Sequence, residues 1–129
     1  MIVSIGIDII EVYRIEEAIA RTPRFVSRIF TPAERLYCEG RGARSAESYA
    51  ARFAAKEAFF KALGEGWRGR LSWHDVEIVR DEKGAPTLEI RREAERLMKL
   101  GGGERVHLSI SHTHQHAIAQ VIIESGKES

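Results

Sequence analysis

A chain of 129 residues, 43% hydrophobic and 30% charged, has the length of one domain with one modest core, so residues 1–129 are expected to fold as a single unit. Its 20 lysines and arginines against 19 acids leave a formal charge of +1, which argues against a general nucleic-acid binder and confines any basic surface to a local patch. The one cysteine, Cys38, makes neither an intrachain disulfide nor a thiolate metal site by itself, the N-terminal residues lack the basic start and cleavage site of a signal peptide, and no apolar run approaches the roughly 20 residues that span a bilayer; a soluble cytoplasmic protein with no membrane contact is expected.

The first predicted element is a strand over 3–9, with Val3, Ile5, Ile7 and Ile9 on a core face and Ser4, Gly6 and Asp8 on a face that allows close approach of a neighbour. Asp8 is the only charge in this run; it either needs a partner or caps the helix that follows. Residues 11–21 place Val12, Ile15 and Ile19 at helical spacing, and Thr22-Pro23 stops the helix. Its outer face carries Arg14 and Arg21, which with Arg24 and Arg28 form a dense basic stretch suited to an acidic partner, the alternative being an ordinary solvated face. Thr31-Pro32-Ala33-Glu34 has the cap, proline and glutamate of a helix start, and that helix should stop near Gly40.

Ser45 is then expected to cap a long helix ended by Gly64, with Glu57 and Lys61 on one face near Arg52, Phe53 and Lys56. A loop over 65–71 leads to strands over 74–80 and 86–90 joined by the turn Asp81-Glu82-Lys83-Gly84. An amphipathic helix over 91–100 ends at a run of glycines, and strands over 106–111 and 117–124 make a second hairpin. In the last strand Ile118 and Ile122 point one way and Val121 and Ile123 the other, so both faces should be covered, the second by another subunit.

A glutamate four residues before a lysine on a helix reads by itself as a surface ion pair worth about 0.2–0.5 kcal/mol. Combined with an acid waiting on a strand and several nearby cations, it suits a magnesium-bound pyrophosphate. His112, His114 and His116 alternate as zinc ligands on a strand would, but no carboxylate or thiol lies near them in sequence, and a polar turn is the favoured reading for His114 and His116.

Gly6-Ile7-Asp8, followed by Phe53-Ala54-Ala55-Lys56-Glu57 and Lys61-Ala62, resembles the signature of the 4'-phosphopantetheinyl transferases, specifically the short holo-acyl-carrier-protein synthase type. Ser72-Trp73-His74-Asp75-Val76-Glu77-Ile78 and Leu108-Ser109-Ile110-Ser111-His112-Thr113 extend the resemblance over nearly the whole chain. One departure is Glu65, where similar proteins often carry a small hydroxyl residue after Gly64.

The resemblance implies an α+β fold, an antiparallel sheet with helices packed on it, and a homotrimer. The implied reaction moves the 4'-phosphopantetheine group of coenzyme A to a serine of apo-acyl carrier protein, with Mg2+ as cofactor and adenosine 3',5'-bisphosphate as the other product. Asp8, Glu57 and Lys61 would be catalytic, with Asp8 and Glu57 holding the metal and Lys61 gripping a phosphate oxygen. Arg52, Gly64, Pro86, Ser109, Ser111 and His112 would contact coenzyme A, and Arg14, Arg21 and Arg24 the acidic carrier. The base that takes the serine proton is either Glu57 or a carboxylate-held water. Longer members of the superfamily carry two tandem halves, with the Ser-His motif in one and the Lys-Glu motif in the other, which implies a site shared between subunits here. Two other readings stand beside this one: a metal hydrolase ligated by the C-terminal histidines, and a non-catalytic adaptor that binds acidic proteins through the arginine-rich helix.

Overall fold

The computed structural model describes residues 1–64 and 70–126. Within them the chain order is β1 (Ile2–Glu11), α1 (Val12–Arg21), α2 (Phe25–Ile29), α3 (Pro32–Glu39), α4 (Ser45–Leu63), β2 (Val76–Arg80), β3 (Pro86–Ile90), α5 (Arg92–Leu100), β4 (Arg105–His112) and β5 (His116–Glu124). β1, β5 and β4 form an antiparallel sheet in that order, and β2 and β3 form a separate hairpin. This is the expected α+β arrangement, with α4 lying on the sheet. The expected loop over 65–71 and the departure at Glu65 fall largely on residues 65–69, outside the described residues.

Local sequence signals account for most of the boundaries. The Thr31 hydroxyl accepts from the Glu34 backbone N–H while the Glu34 carboxylate accepts from that of Thr31, a complete capping box ahead of α3. Gly64 ends α4 in the left-handed region at φ 75°, donating its N–H to the carbonyls of Phe60 and Lys61. Two boundaries differ from expectation. Ser45 is the first residue of α4 and not its cap; Arg44 occupies that position without a side-chain cap bond, because a 3-10 turn over Gly42–Arg44 leads directly into the helix. β2 begins at Val76 because Ser72 and Asp75 cap a 3-10 turn over Trp73–Asp75, withdrawing His74 and Asp75 from the strand.

The core gathers around α4, which buries Ala50, Ala51, Ala54, Ala55, Ala58, Phe59, Phe60 and Ala62. The alanines let other elements approach its backbone, and β1 approaches closest. A Cβ added at Gly6 would stand 2.0 Å from the Ala58 carbonyl oxygen and 2.8 Å from the Ala62 nitrogen. Contact this tight fixes which face of β1 is inside, and it reverses the sequence expectation. Ser4, Gly6 and Asp8 face α4, while Val3, Ile5, Ile7 and Ile9 turn outward at 40, 57, 53 and 62% exposure. In β5, Ala117, Ala119, Val121 and Ile123 are buried, whereas Ile118 is paired with Ile9 and Ile122 with Ile5 on the outer face. The chain thus covers one face of its sheet and leaves an apolar one open.

Lys56 also departs from expectation. It is fully buried and does not join Glu57 and Lys61, because adjacent helix residues diverge by about 100° around the axis. Its ammonium lies 2.8 Å from Glu34 Oε1 and donates to the carbonyls of Ile29, at 2.8 Å, and Trp73, at 3.1 Å. Glu34 Oε2 in turn accepts from the Ile78 backbone N–H at 2.7 Å. Burial pulls the Lys56 pKa down and Glu34 opposes it. One ion pair with its bonds satisfied therefore joins the end of α2, the start of α3, α4 and the β2 hairpin. Cys38 of α3 is buried beside this region, and desolvation pushes its thiol up to about 12.

Gly6→Ala is expected to destabilise the protein by about 3 kcal/mol or more in urea unfolding, since backbone and not a yielding side chain opposes the new methyl group. Because β1 would have to move off α4, activity per folded molecule should fall as well, and an alanine variant with normal turnover would show that the contact does not position the site.

Candidate active site

Asp8 and Glu57 reach the same cavity from different elements. β1 points Asp8 toward α4 two residues after the close contact at Gly6, and α4 presents Glu57 and, one turn on, Lys61. The Lys61 ammonium lies 2.9 Å from Asp8 Oδ1 and also donates to the Ile7 carbonyl at 3.1 Å. The ion pair expected within the helix, Glu57 with Lys61, is thus replaced by one between helix and strand. The Glu57 carboxyl is held above its ordinary range, first by burial and then by the negative charge of Asp8, with Lys61 opposing. Asp8 and Glu57 share the charge of Lys61, and Glu57 is the costlier of the two to ionise. Ile9, Ile10, Glu11, Arg14, Phe53 and His116 complete the wall, and Phe53 is fixed by stacking on Trp73 with centroids 5.3 Å apart. Two hard oxygen donors on one cavity fit a divalent cation such as magnesium, which Asp8 and Glu57 would hold.

A second cavity is cationic. Arg41, Arg44, Arg52 and Arg80 line it with Pro86 and His112. The guanidinium carbons of Arg52, Arg80 and Arg41 stand 4.2, 5.0 and 5.7 Å from the centre of the Tyr37 ring, and Arg80 donates to the Tyr37 hydroxyl at 3.0 Å. Arg52 is more than nine-tenths buried, and its Nε has no hydrogen-bond partner among the described residues. Such a cluster, with a buried donor left over, is built for a polyanion. The two cavities have no lining residue in common.

Of the site residues expected from sequence, Asp8 and Glu57 line the first cavity with Lys61 bonded to Asp8, and Arg52, Pro86 and His112 line the second. Ser109 and Ser111 stand exposed on the open face of β4, and Gly64 caps α4 beyond Lys61. Arg14 and Arg21 share a surface groove on α1, paired with Glu11 at 3.1 Å and Glu17 at 3.9 Å, and the exposed Arg24 precedes α2. Arg41, Arg44 and Arg80 were missed. Nothing local marks them, since they meet Arg52 only once the 40–44 link and the end of β2 are folded against α4.

The histidine cluster does not form a metal centre. His112 and His114 both face Glu47, while His116 lies at the rim of the Asp8 cavity. Among the described residues no group of three or more His, Cys, Asp or Glu side chains is placed to hold a metal ion, so the hydrolase reading loses its basis.

The chain belongs to the 4'-phosphopantetheinyl transferase superfamily, whose family model matches residues 4–121. It is 50% identical over 125 residues to a holo-[acyl-carrier-protein] synthase of Koribacter versatilis, covering 96% of this chain and 99% of that protein. It is also similar to the crystal structure of a Bacillus anthracis holo-(acyl-carrier-protein) synthase in complex with CoA (3',5'-ADP), with TM-score 0.80 and 44% identity over 98% of this chain and 99% of that one. The Helicobacter pylori holo-[acyl-carrier-protein] synthase in complex with coenzyme A matches with TM-score 0.79 and 35% identity over 93% and 99% of the two chains.

The raised Glu57 carboxyl has a measurable consequence. Because its pKa in the folded chain lies above the unfolded value, ionised Glu57 costs stability at every pH above the folded value, and the cost disappears below the unfolded one, where both states hold the proton. Glu57→Gln is therefore expected to raise the melting temperature of the metal-free protein at about pH 8, with the gain fading as pH falls through the raised pKa and gone once it is below the ordinary carboxylate value of about 4. Thermal melts across that range check it; a variant less stable than the parent at pH 8 would contradict it.

Proposed function

We propose that this chain transfers the 4'-phosphopantetheine group of coenzyme A to a serine hydroxyl of an apo-acyl carrier protein, releasing adenosine 3',5'-bisphosphate, and that it works with Mg2+ as a homotrimer whose sites are shared between neighbours. The family and coenzyme A complexes among its structural relatives support the reaction. The observation that carries the shared site is the separation of its halves: Asp8 and Glu57 line one cavity and the arginines with His112 another, without a common wall residue. The exposed apolar face of β1, with Ile118 beside it, supplies a surface for a second copy.

In this reading the arginine cavity takes the anionic nucleotide of coenzyme A, leaving its pyrophosphate toward Asp8 and Glu57 of a neighbouring subunit. Bound there, magnesium neutralises charge on the pyrophosphate. Lys61, held in place by Asp8 and the Ile7 carbonyl, meets the phosphate oxygen on which charge builds as the bond to the leaving group breaks. Glu57, directly or through a water it orients, is the carboxylate placed to take the proton of the attacking serine. Phe53, braced by Trp73, keeps one wall apolar. No helix among the described residues is long and apolar enough to cross a membrane; the proposed substrates suit an enzyme that works in the cytoplasm.

Incubation with coenzyme A, magnesium and an apo-carrier protein should add the phosphopantetheine mass to the carrier, and Glu57→Gln should slow this by on the order of 10²-fold or more. Normal turnover by that variant would remove Glu57 from the centre, and carrier binding without mass gain would favour the adaptor reading. For the shared site, Asp8→Asn and His112→Ala proteins, each impaired alone, should regain activity when their subunits exchange, since some interfaces then join an intact acidic half to an intact basic half. Mixed trimers seen by native mass spectrometry without a gain in activity would refute the sharing.

The exposed Arg14 and Arg21 in their groove, close to the Asp8 cavity, suit an acidic carrier surface. Arg14→Glu is expected to raise the KM for the carrier well beyond that for coenzyme A, and added salt to weaken the parent's carrier interaction. Unchanged KM values would return these arginines to solvated charge.

A further inference from the structure

Glu47 lies in the first turn of α4, and its carboxylate is largely enclosed, with a side chain 13% exposed. Its two oxygens address two imidazoles: Oε1 is 3.3 Å from His112 Nδ1 and Oε2 is 2.8 Å from His114 Nδ1. The carboxyl is held below its ordinary range, chiefly by the hydrogen bond from His114. The two histidines stand in different surroundings. The His114 side chain is 87% exposed, where a pairing contributes little. That of His112 is 41% exposed, and its ring lines the arginine cavity with Arg44, Arg52 and Pro86. Glu47 itself does not line that cavity but stands behind His112, on the wall of a different depression.

A carboxylate facing one ring nitrogen sets both the tautomer and the orientation of an imidazole, and leaves the other nitrogen as the atom offered to a ligand. The next helix residues after Glu47, among them Ser48, Ala51 and Arg52, belong to the arginine cavity, so the rigid first turns of α4 carry both the pocket wall and the group that orients His112.

We propose that Glu47 is a positioning residue for coenzyme A: its Oε1, facing His112 Nδ1, turns the ring so that, with both nitrogens protonated beside the bound anion, Nε2–H donates to an anionic oxygen of the nucleotide among the arginines. This rests on the reading of the arginine cavity as the nucleotide site. The bland alternative is a tie between α4 and the turn that joins β4 to β5, which would affect stability and leave nucleotide binding untouched.

Calorimetric titration of the whole protein with adenosine 3',5'-bisphosphate separates the two, using Glu47→Ala, Glu47→Gln, His112→Ala and the Glu47→Ala/His112→Ala double variant. Glu47→Ala should weaken nucleotide binding roughly tenfold, the scale of one hydrogen bond to a charged group, and raise the KM for coenzyme A while leaving that for the carrier unchanged. Glu47→Gln, which keeps an acceptor for Nδ1–H, should recover most of the loss. The double variant should bind no worse than His112→Ala alone, because Glu47 acts through that ring. Weakened binding by His112→Ala with normal binding by Glu47→Ala overturns the positioning role and leaves the pocket reading intact; normal binding by His112→Ala overturns the pocket reading and the proposal with it. A measurement independent of any variant's folding is the nitrogen-15 spectrum of the parent protein with adenosine 3',5'-bisphosphate bound, where both His112 ring nitrogens are expected to carry protons. An Nδ1 without a proton in that complex overturns the proposal.

Discussion

β1 meets α4 with no side chain between their backbones at Gly6, and the rest of the molecule is arranged around that contact. It decides which face of β1 is inside, and so it places Asp8 over the helix within 2.9 Å of Lys61. The same contact turns Val3, Ile5, Ile7 and Ile9 to the outside. A single missing Cβ thus sets both the acidic half of the site and the apolar face that calls for a neighbour. A strand kept off the helix by one methyl group would lose both features together.

α4 divides the charge of a nearly neutral chain. Acidic side chains of β1 and α4 gather on one flank around Asp8 and Glu57, and guanidinium groups on another around Arg52 and Tyr37. Neither flank is neutralised by the other, which is how a formal charge of +1 coexists with a strongly cationic cavity. Lys56 and Glu57 show the division at its finest scale. They are neighbours in sequence, yet one closes a buried ion pair with Glu34 that joins four elements and the other opens into a cavity. Within one short motif, architecture and chemistry are assigned to adjacent residues.

What could be read from sequence was what local chemistry encodes. The capping box at Thr31 and Glu34, the left-handed stop at Gly64 and the hairpin turn at Asp81, whose carboxylate accepts from the Lys83 and Ala85 N–H groups, all declare themselves within a few residues. Alternation in β1 announced two faces but not which one is inside, since both an isoleucine row and a glycine are reasons to bury a strand. The family motif brought Asp8, Glu57 and Lys61 to light, and the structure joins them. It could not tell that Lys56 is buried, because its partner Glu34 belongs to another helix, nor that Arg41, Arg44 and Arg80 surround one tyrosine, because only tertiary packing brings them there.

Cys38 gives the fold a built-in clock. A thiol must be both exposed and ionised to react, and in the native state this one is neither, being buried and pushed up to about 12. Alkylating reagents and mild oxidants therefore meet it only after α3 lifts from α4 or the chain opens more widely. The labelling rate of this lone sulfur reports how often the molecule opens around the Lys56–Glu34 pair, on the unmodified protein and without added probes. It also follows that a shift in cellular redox balance leaves this thiol unchanged for as long as the fold stays closed.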